Sequence, residues 1–169
     1  MDAMSPDLTT KLELEVSLKV AAAPDVDALL PMMDAFNAGE LIEVDARALR
    51  RALERLLADE TLGCVWLIQF GTETVGYAVL TFGYDLEFAG RDAFITEIYL
   101  CPPARGRGMG RVALARIEAA SIELGVHAIH LMVRRENLHA VALYASAGYA
   151  APPRAFLSKV LAKKAIGEP

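Results

Sequence analysis

The sequence predicts one α/β or α+β domain with helices against a sheet, and three observations predict it. Apolar spacing changes from helical to alternating near Gly63. The middle of the chain then reads strand, glycine-rich turn, helix, strand, helix, an order that layers helices on a sheet. Finally, 169 residues with 54% hydrophobic and 23% charged content suit one domain with its own core, and exclude a disordered chain or a multidomain assembly.

Residues 1–11 read as a flexible N-terminal arm, 12–161 as a single domain and 162–169 as a polar tail. Within the domain, Leu12–Val20 alternates imperfectly and predicts an opening strand, and Ala21–Asp25 breaks it. Leu29, Met33 and Phe36 recur at helical intervals, so a helix is expected over Val26–Asn37, ended by Gly39. Asp45 can cap a second helix whose apolar stripe is Leu49, Leu53 and Leu56 or Leu57. Val65–Phe70 and Val75–Phe82, joined by Gly71–Glu73, read as a hairpin. Trp66 belongs to its core or lining. A second turn is expected over Gly83–Asp92, then a strand over Ala93–Leu100 that Pro102 and Pro103 end.

After those prolines comes Arg105-Gly106-Arg107-Gly108-Met109-Gly110 and a helix to about Leu124, on which Ala113, Ile117, Ala120 and Leu124 share one face. Gly125 stops it. Ala128–Val133 reads as a strand, Asn137–Ala147 as a short helix closed by Gly148, and Phe156–Leu161 as a further strand.

Composition narrows the function classes. The formal net charge of −5 argues against general coating of nucleic acid. Met1–Thr10 lacks the positive region and apolar run of a secretory signal, and no stretch approaches eighteen apolar residues, so a cytoplasmic location without a membrane span is expected. Cys64 and Cys101 are expected as reduced thiols. His127, His130 and His139 have no matching carboxylate or cysteine cluster, so no metal is expected.

Chemistry concentrates in the glycine turn. Gly106, Gly108 and Gly110 clear side chains from the backbone, and a helix starting near Gly108 or Met109 points its first free N–H groups into the turn as a phosphate site. Arg105 and Arg107 can add charge-assisted contacts at the rim. A nucleotide triphosphate loop would need Gly-Lys followed by Ser or Thr, whereas Gly110 precedes Arg111 and Val112. A dinucleotide fingerprint fails too, because these glycines are evenly spaced by two.

Arg105-x-x-Gly108-x-Gly110 after a strand, together with Asn137-x-x-Ala140-x-x-Leu143-Tyr144-x-x-x-Gly148-Tyr149, resembles the GCN5-related N-acetyltransferase (GNAT) family. The resemblance spans roughly Leu12–Leu161 and is strongest between Phe94 and Tyr149. It implies the acyl-CoA N-acyltransferase fold, α/β (α+β mixed), a twisted mixed sheet flanked by helices whose two central strands splay apart where acetyl-CoA enters. It further implies that Leu100 and Cys101 run beside the pantetheine arm, and that Arg105, Gly106, Arg107, Gly108, Met109 and Gly110 wrap the pyrophosphate. Asn137 would contact the cofactor arm or align its helix, and Tyr144 would face the cofactor sulfur. A homodimer is an expectation of the same kind. The chain departs from the family pattern at Cys101, which is not acidic, and at Ala104, which is not aromatic.

The expected activity is therefore acetyl transfer from acetyl-CoA to a primary amine of a small molecule or a protein, with a small molecule the favoured acceptor. Strict alternation puts Ile95, Glu97 and Tyr99 on one strand face and Phe94, Thr96, Ile98 and Leu100 on the other. Glu97, a charge within an apolar strand, is the candidate base, acting directly or through water, with a backbone N–H near Leu100 for the carbonyl oxygen. Tyr144 is the candidate acid for the departing thiolate. A strand carboxylate in an ion pair and a core tyrosine are the competing readings. Asp34, Glu43, Asp85 and Glu87, with Tyr84 and Phe88, are candidates for the acceptor wall. Two other readings stand beside the enzyme: a non-catalytic acyl-CoA binding module, and a cofactor-free interaction domain.

Overall fold

The computed structural model describes residues 12, 13 and 15–161, so the arm over 1–11 and the tail over 162–169 lie outside the described residues. Five strands, β1 (Val16–Val20), β2 (Gly63–Phe70), β3 (Glu73–Asp85), β4 (Gly90–Leu100) and β5 (Val126–Leu131), form one sheet in sequence order. The first four pair antiparallel, and β5 joins β4 in parallel, which makes the sheet mixed. Helices α1 (Val26–Glu40), α2 (Ala46–Ala58), α3 (Met109–Glu123) and α4 (Leu138–Ser146) pack on it.

The helices cover both faces. On one, Leu29 and Met33 of α1 and Leu53 of α2 bury against Val65, Leu67, Tyr77 and Val79. On the other, Leu114 and Ile117 of α3 and Tyr144 of α4 bury against Trp66, Ala78, Leu80 and Ile95, so Trp66 is core. Met109 and Ala113 close the sheet end with Val16, Ile68 and Val75. Asp45 caps α2 as expected, its carboxylate accepting from the Ala48 N–H at 2.8 Å.

Several boundaries differ from the sequence reading. The opening strand shrinks to Val16–Val20 because Leu12, Glu13 and Glu15 are helical; β2 ends at Phe70, the partner of Val16, and beyond it the Gly71 N–H donates to the Glu15 carbonyl at 2.9 Å. Helix α1 runs through Gly39 and closes instead at Leu41, a left-handed residue with φ 58°. The turn expected over Gly83–Asp92 narrows to Leu86–Ala89, because Gly83 pairs with Asp92 inside the hairpin. A Cβ on Gly83 would come within 2.5 Å of the Asp92 carboxylate, so glycine there reports a close approach rather than a break. β5 begins two residues early, where Val126 meets Arg91, and ends at Leu131. Phe156–Leu161 forms no strand. It has no ladder partner among the described residues; Phe156 lies 6.1 Å from Phe94, and just before the segment Arg154 bonds Glu87 at 2.6 Å.

Candidate active site

The site begins with an irregularity in β4. Glu97 pairs with Val79 and Ile95 with Leu80, so Thr96 is an extra residue, a β-bulge. The bulge breaks the expected alternation. Ile95 packs with Ile98 on the α3 face, whereas Glu97 and Tyr99 turn to the α1 face, where Tyr99 joins Tyr77 and Val79. Beyond the bulge β4 also loses β5: their pairing stops at Ile95 and Leu131, while β4 continues to Leu100 paired with β3 alone. The two central strands therefore part where the bulge bends one of them.

A groove of about 580 Å³ occupies that parting. Ile98, Tyr99 and Leu100 form one wall, and Asn137, Ala140, Leu143 and Tyr144 of α4 the other. The glycine turn forms its floor. Gly106 and Gly108 have φ of 71° and 83°, which L side chains adopt at a cost, so glycine is required there. No N–H from Gly106 to Gly110 has a hydrogen-bond acceptor among the described residues, and α3 starts directly after Gly108. Gly106, Gly108 and Gly110 line the concavity where α3 begins, so backbone donors without acceptors and a helix N-terminus lie at its floor, an arrangement that suits an anion.

Because the Cys101 N–H bonds the Val75 carbonyl on β3 at 2.8 Å, strand alternation turns the Leu100 N–H to the open side. Asn137 caps α4, its side chain accepting from the Ala140 N–H at 3.2 Å, and so sets the pitch at which Tyr144 enters the groove. Tyr144 is buried, edge-on to Tyr149 at 5.8 Å, and burial with the nearby Glu40 carboxylate raises its hydroxyl pKa. Arg134 donates to the Gly39 carbonyl at 3.3 Å and ties the end of α1 over the groove.

Glu97 sits beside this groove rather than in its wall. The Tyr77 hydroxyl donates to Glu97 Oε2 at 2.6 Å, and the Tyr77 ring lies 5.9 Å from that of Tyr99, which does line the groove. Burial raises the Glu97 pKa, and the Tyr77 hydrogen bond draws it partly back.

Of the sequence candidates, Leu100, Arg105, Gly106, Gly108, Gly110, Asn137 and Tyr144 come together in one groove. Arg105 bends back, its Nε donating to the Leu100 carbonyl at 2.7 Å and its guanidinium lying 5.1 Å from the Tyr99 ring centroid. The side chains of Cys101, Arg107 and Met109 are not in the lining. Met109 is 1% exposed, because it begins the buried stripe that continues at Ala113 and Ile117, and it can offer a ligand only its backbone. Tyr84, Asp85, Glu87 and Phe88 lie at the opposite end of β4 from Leu100, a separation on the order of 20–30 Å at the usual strand rise, so they do not wall this groove. Arg111, Phe36, Glu40 and His139 also line it. Arg111 had a sequence signal, since it directly follows Gly110; the other three arrive by tertiary packing. Among the described residues no three His, Cys, Asp or Glu side chains converge as metal ligands would.

Comparison with known proteins agrees with this geometry. The chain is 30% identical over 78 residues to the thialysine N-epsilon-acetyltransferase of Bos taurus, a stretch that is 46% of this chain and 45% of that protein. The match thus spans about half the length of that curated relative. An integron cassette protein from the Cole Harbour Salt Marsh metagenome superposes with a TM-score of 0.77 at 33% identity, over 90% of this chain and 93% of that one. A predicted acetyltransferase of Clostridium acetobutylicum, solved with acetyl-CoA, has a TM-score of 0.71 at 21% identity over 86% and 97%, and shares the fold. The model of the acetyltransferase (GNAT) family matches residues 30–149, from mid-α1 to the tyrosine after α4, and with the splayed strands and glycine turn inside that span the chain belongs to the GNAT family.

Proposed function

We propose that this chain transfers the acetyl group of acetyl-CoA to a primary amine of a small molecule. The observation that carries the reading is the groove at the parting of β4 and β5, floored by Gly106, Gly108 and Gly110, whose N–H groups have no acceptor among the described residues, and walled by Tyr144. Those features fit the cofactor's chemistry: an anion-binding turn for a pyrophosphate, with Arg111 beside it, and an apolar cleft along Ile98 and Leu143 for an uncharged arm.

When bound, acetyl-CoA supplies an acetyl thioester. Glu97, beside the groove, receives through water the proton that the attacking amine sheds, a task for which a carboxylate with a raised pKa is suited. The Leu100 N–H, turned to the open side, is the donor for the carbonyl oxygen. Tyr144 holds the proton that the departing thiolate takes up, and its raised pKa keeps that proton in place at neutral pH. Support for a small-molecule acceptor comes from the Bos taurus relative, a thialysine N-epsilon-acetyltransferase.

The test is a panel of primary amines assayed for free CoA and for acetylated product. Product with at least one small amine is the expected result. Tight acetyl-CoA binding without thiol release across the panel would leave an acyl-CoA binding module instead.

A further inference from the structure

A second groove, of about 430 Å³, opens between α1 and the start of α2, on the sheet face that carries Glu97. Its lining is Leu30, Asp34, Ala46, Arg47, Arg50 and Arg51. Three arginines in one small groove are unexpected in a chain of net charge −5. Arg50 is already engaged, at 2.6 Å from Asp27 and 3.6 Å from Glu54. Arg47 and Arg51 make no ion pair with any described residue. They stand one helical turn apart, so their guanidinium groups can close on a single anion.

The other wall has the opposite sign. Asp34 faces the arginines from α1 and acts electrostatically on the Tyr77 hydroxyl, which bonds Glu97. The same face therefore carries Glu97, Asp34 close enough to act on the partner of Glu97, and two guanidinium groups that share the Asp34 groove. A molecule with only a cationic amine gains nothing from the outer pair and is repelled by it, whereas one with an amine at one end and an anion at the other matches both.

We propose that this groove is the acceptor's anion subsite: the amine passes Asp34 toward Glu97 while a carboxylate or phosphate on the same molecule is held by Arg47 and Arg51. The proposal rests on the acetyl-transfer reading above and narrows its substrate class to amines that also carry an anionic group.

The experiment measures kcat and KM for three primary amines with the same carbon chain, ending in methyl, carboxylate or phosphate. It uses the full chain, the Arg47→Ala/Arg51→Ala variant and the Arg47→Lys/Arg51→Lys variant. The expected result is a KM for one anionic amine about tenfold below that of the methyl-ended amine, the scale of a charge-assisted hydrogen bond. The alanine variant raises that KM by a similar factor with kcat held, and the lysine variant restores part of the preference. Whichever anionic amine shows the preference identifies the anion. Both arginines are exposed, and acetyl-CoA affinity measured on each variant reports that the fold is intact. Equal kcat/KM for all three amines, or a preference that survives in the alanine variant, overturns the anion subsite while leaving acetyl transfer standing. Failure to acetylate these or any wider set of amines overturns the acetyl-transfer reading and the subsite with it.

Discussion

The Tyr77 hydroxyl donates a 2.6 Å hydrogen bond to Glu97 Oε2 across two neighbouring strands, and this bond exists because Thr96 is a bulge. Tyr77 pairs with Tyr99 and Val79 with Glu97, so the tyrosine and the glutamate are diagonal neighbours on one face. Had the alternation of Ile95 continued unbroken, Glu97 would share the α3 face, where Ile95 packs with Leu114 and Ile117. The bulge instead gives Glu97 a polar partner in an apolar layer, and a buried carboxylate needs one.

Tyr77→Phe removes the one influence that lowers the Glu97 pKa and leaves the burial that raises it. The carboxyl then holds its proton to higher pH. The acid limb of the kcat/KM profile is expected to move up, with the plateau rate retained and activity lost first on the acidic side. An unmoved limb would show that Glu97 is not the group titrating there.

Glu97→Gln separates stability from catalysis. A carboxyl whose folded pKa exceeds its unfolded one is the better proton binder when folded, so stability falls as pH rises from the ordinary carboxyl range through the raised value, and stays reduced above it. Gln does not titrate and can still accept from Tyr77. The variant should melt at or above the wild type at pH 8, with the difference shrinking below about pH 4, while kcat/KM drops on the order of a hundredfold or more.

Tyr144→Phe keeps the ring that packs on Tyr149 and removes only the hydroxyl. Acetyl-CoA affinity should change little and kcat should fall about a hundredfold where chemistry limits the rate. Because the hydroxyl pKa is raised, the wild type should show no basic limb from this group below pH 10.

Gly106→Ala tests the turn. Its φ of 71° strains any Cβ, while nothing lies within 4 Å of where that Cβ would be, so strain is the whole structural effect. Denaturation should report a loss of about 1–2 kcal/mol. The dissociation constant for acetyl-CoA should rise more than tenfold, since the turn must shift the N–H groups that face the groove.

What could be read in the sequence was what is local. The stripe of Ala113 and Ile117, the cap at Asp45 and the glycine turn all rest on neighbours within about one helical turn, and all appear in the fold. Met109 was equally readable, since it stands four residues before Ala113 on the same stripe and its inward turn follows from that spacing. The bulge was not readable. Ile95-Thr96-Glu97-Ile98 alternates well enough in either register, and only the pairing with Leu80 and Val79 shows which residue is extra. Phe36, Glu40 and His139 reach the groove from α1 and α4 through packing that no local pattern encodes. Phe156–Leu161 has a strand's composition but no ladder partner, and composition does not supply a neighbour.

Deleting Thr96 asks whether the bulge opens the groove. Without it, Ile95 and Glu97 become consecutive and still occupy opposite faces, paired with Leu80 and Val79 as they are now. The core contacts of Ile95 and the Tyr77–Glu97 hydrogen bond are therefore compatible with the shortened strand. What is lost is the local bend and extra twist of an inserted residue, and with it the reason for β4 to leave β5 after Ile95. The deletion variant is expected to remain folded, with a cooperative melt near that of the wild type, and to bind acetyl-CoA at least tenfold more weakly because the strands run on together where the groove now lies. Unchanged affinity in a well-folded variant would mean that the glycine turn and α4 hold the strands apart without the bulge.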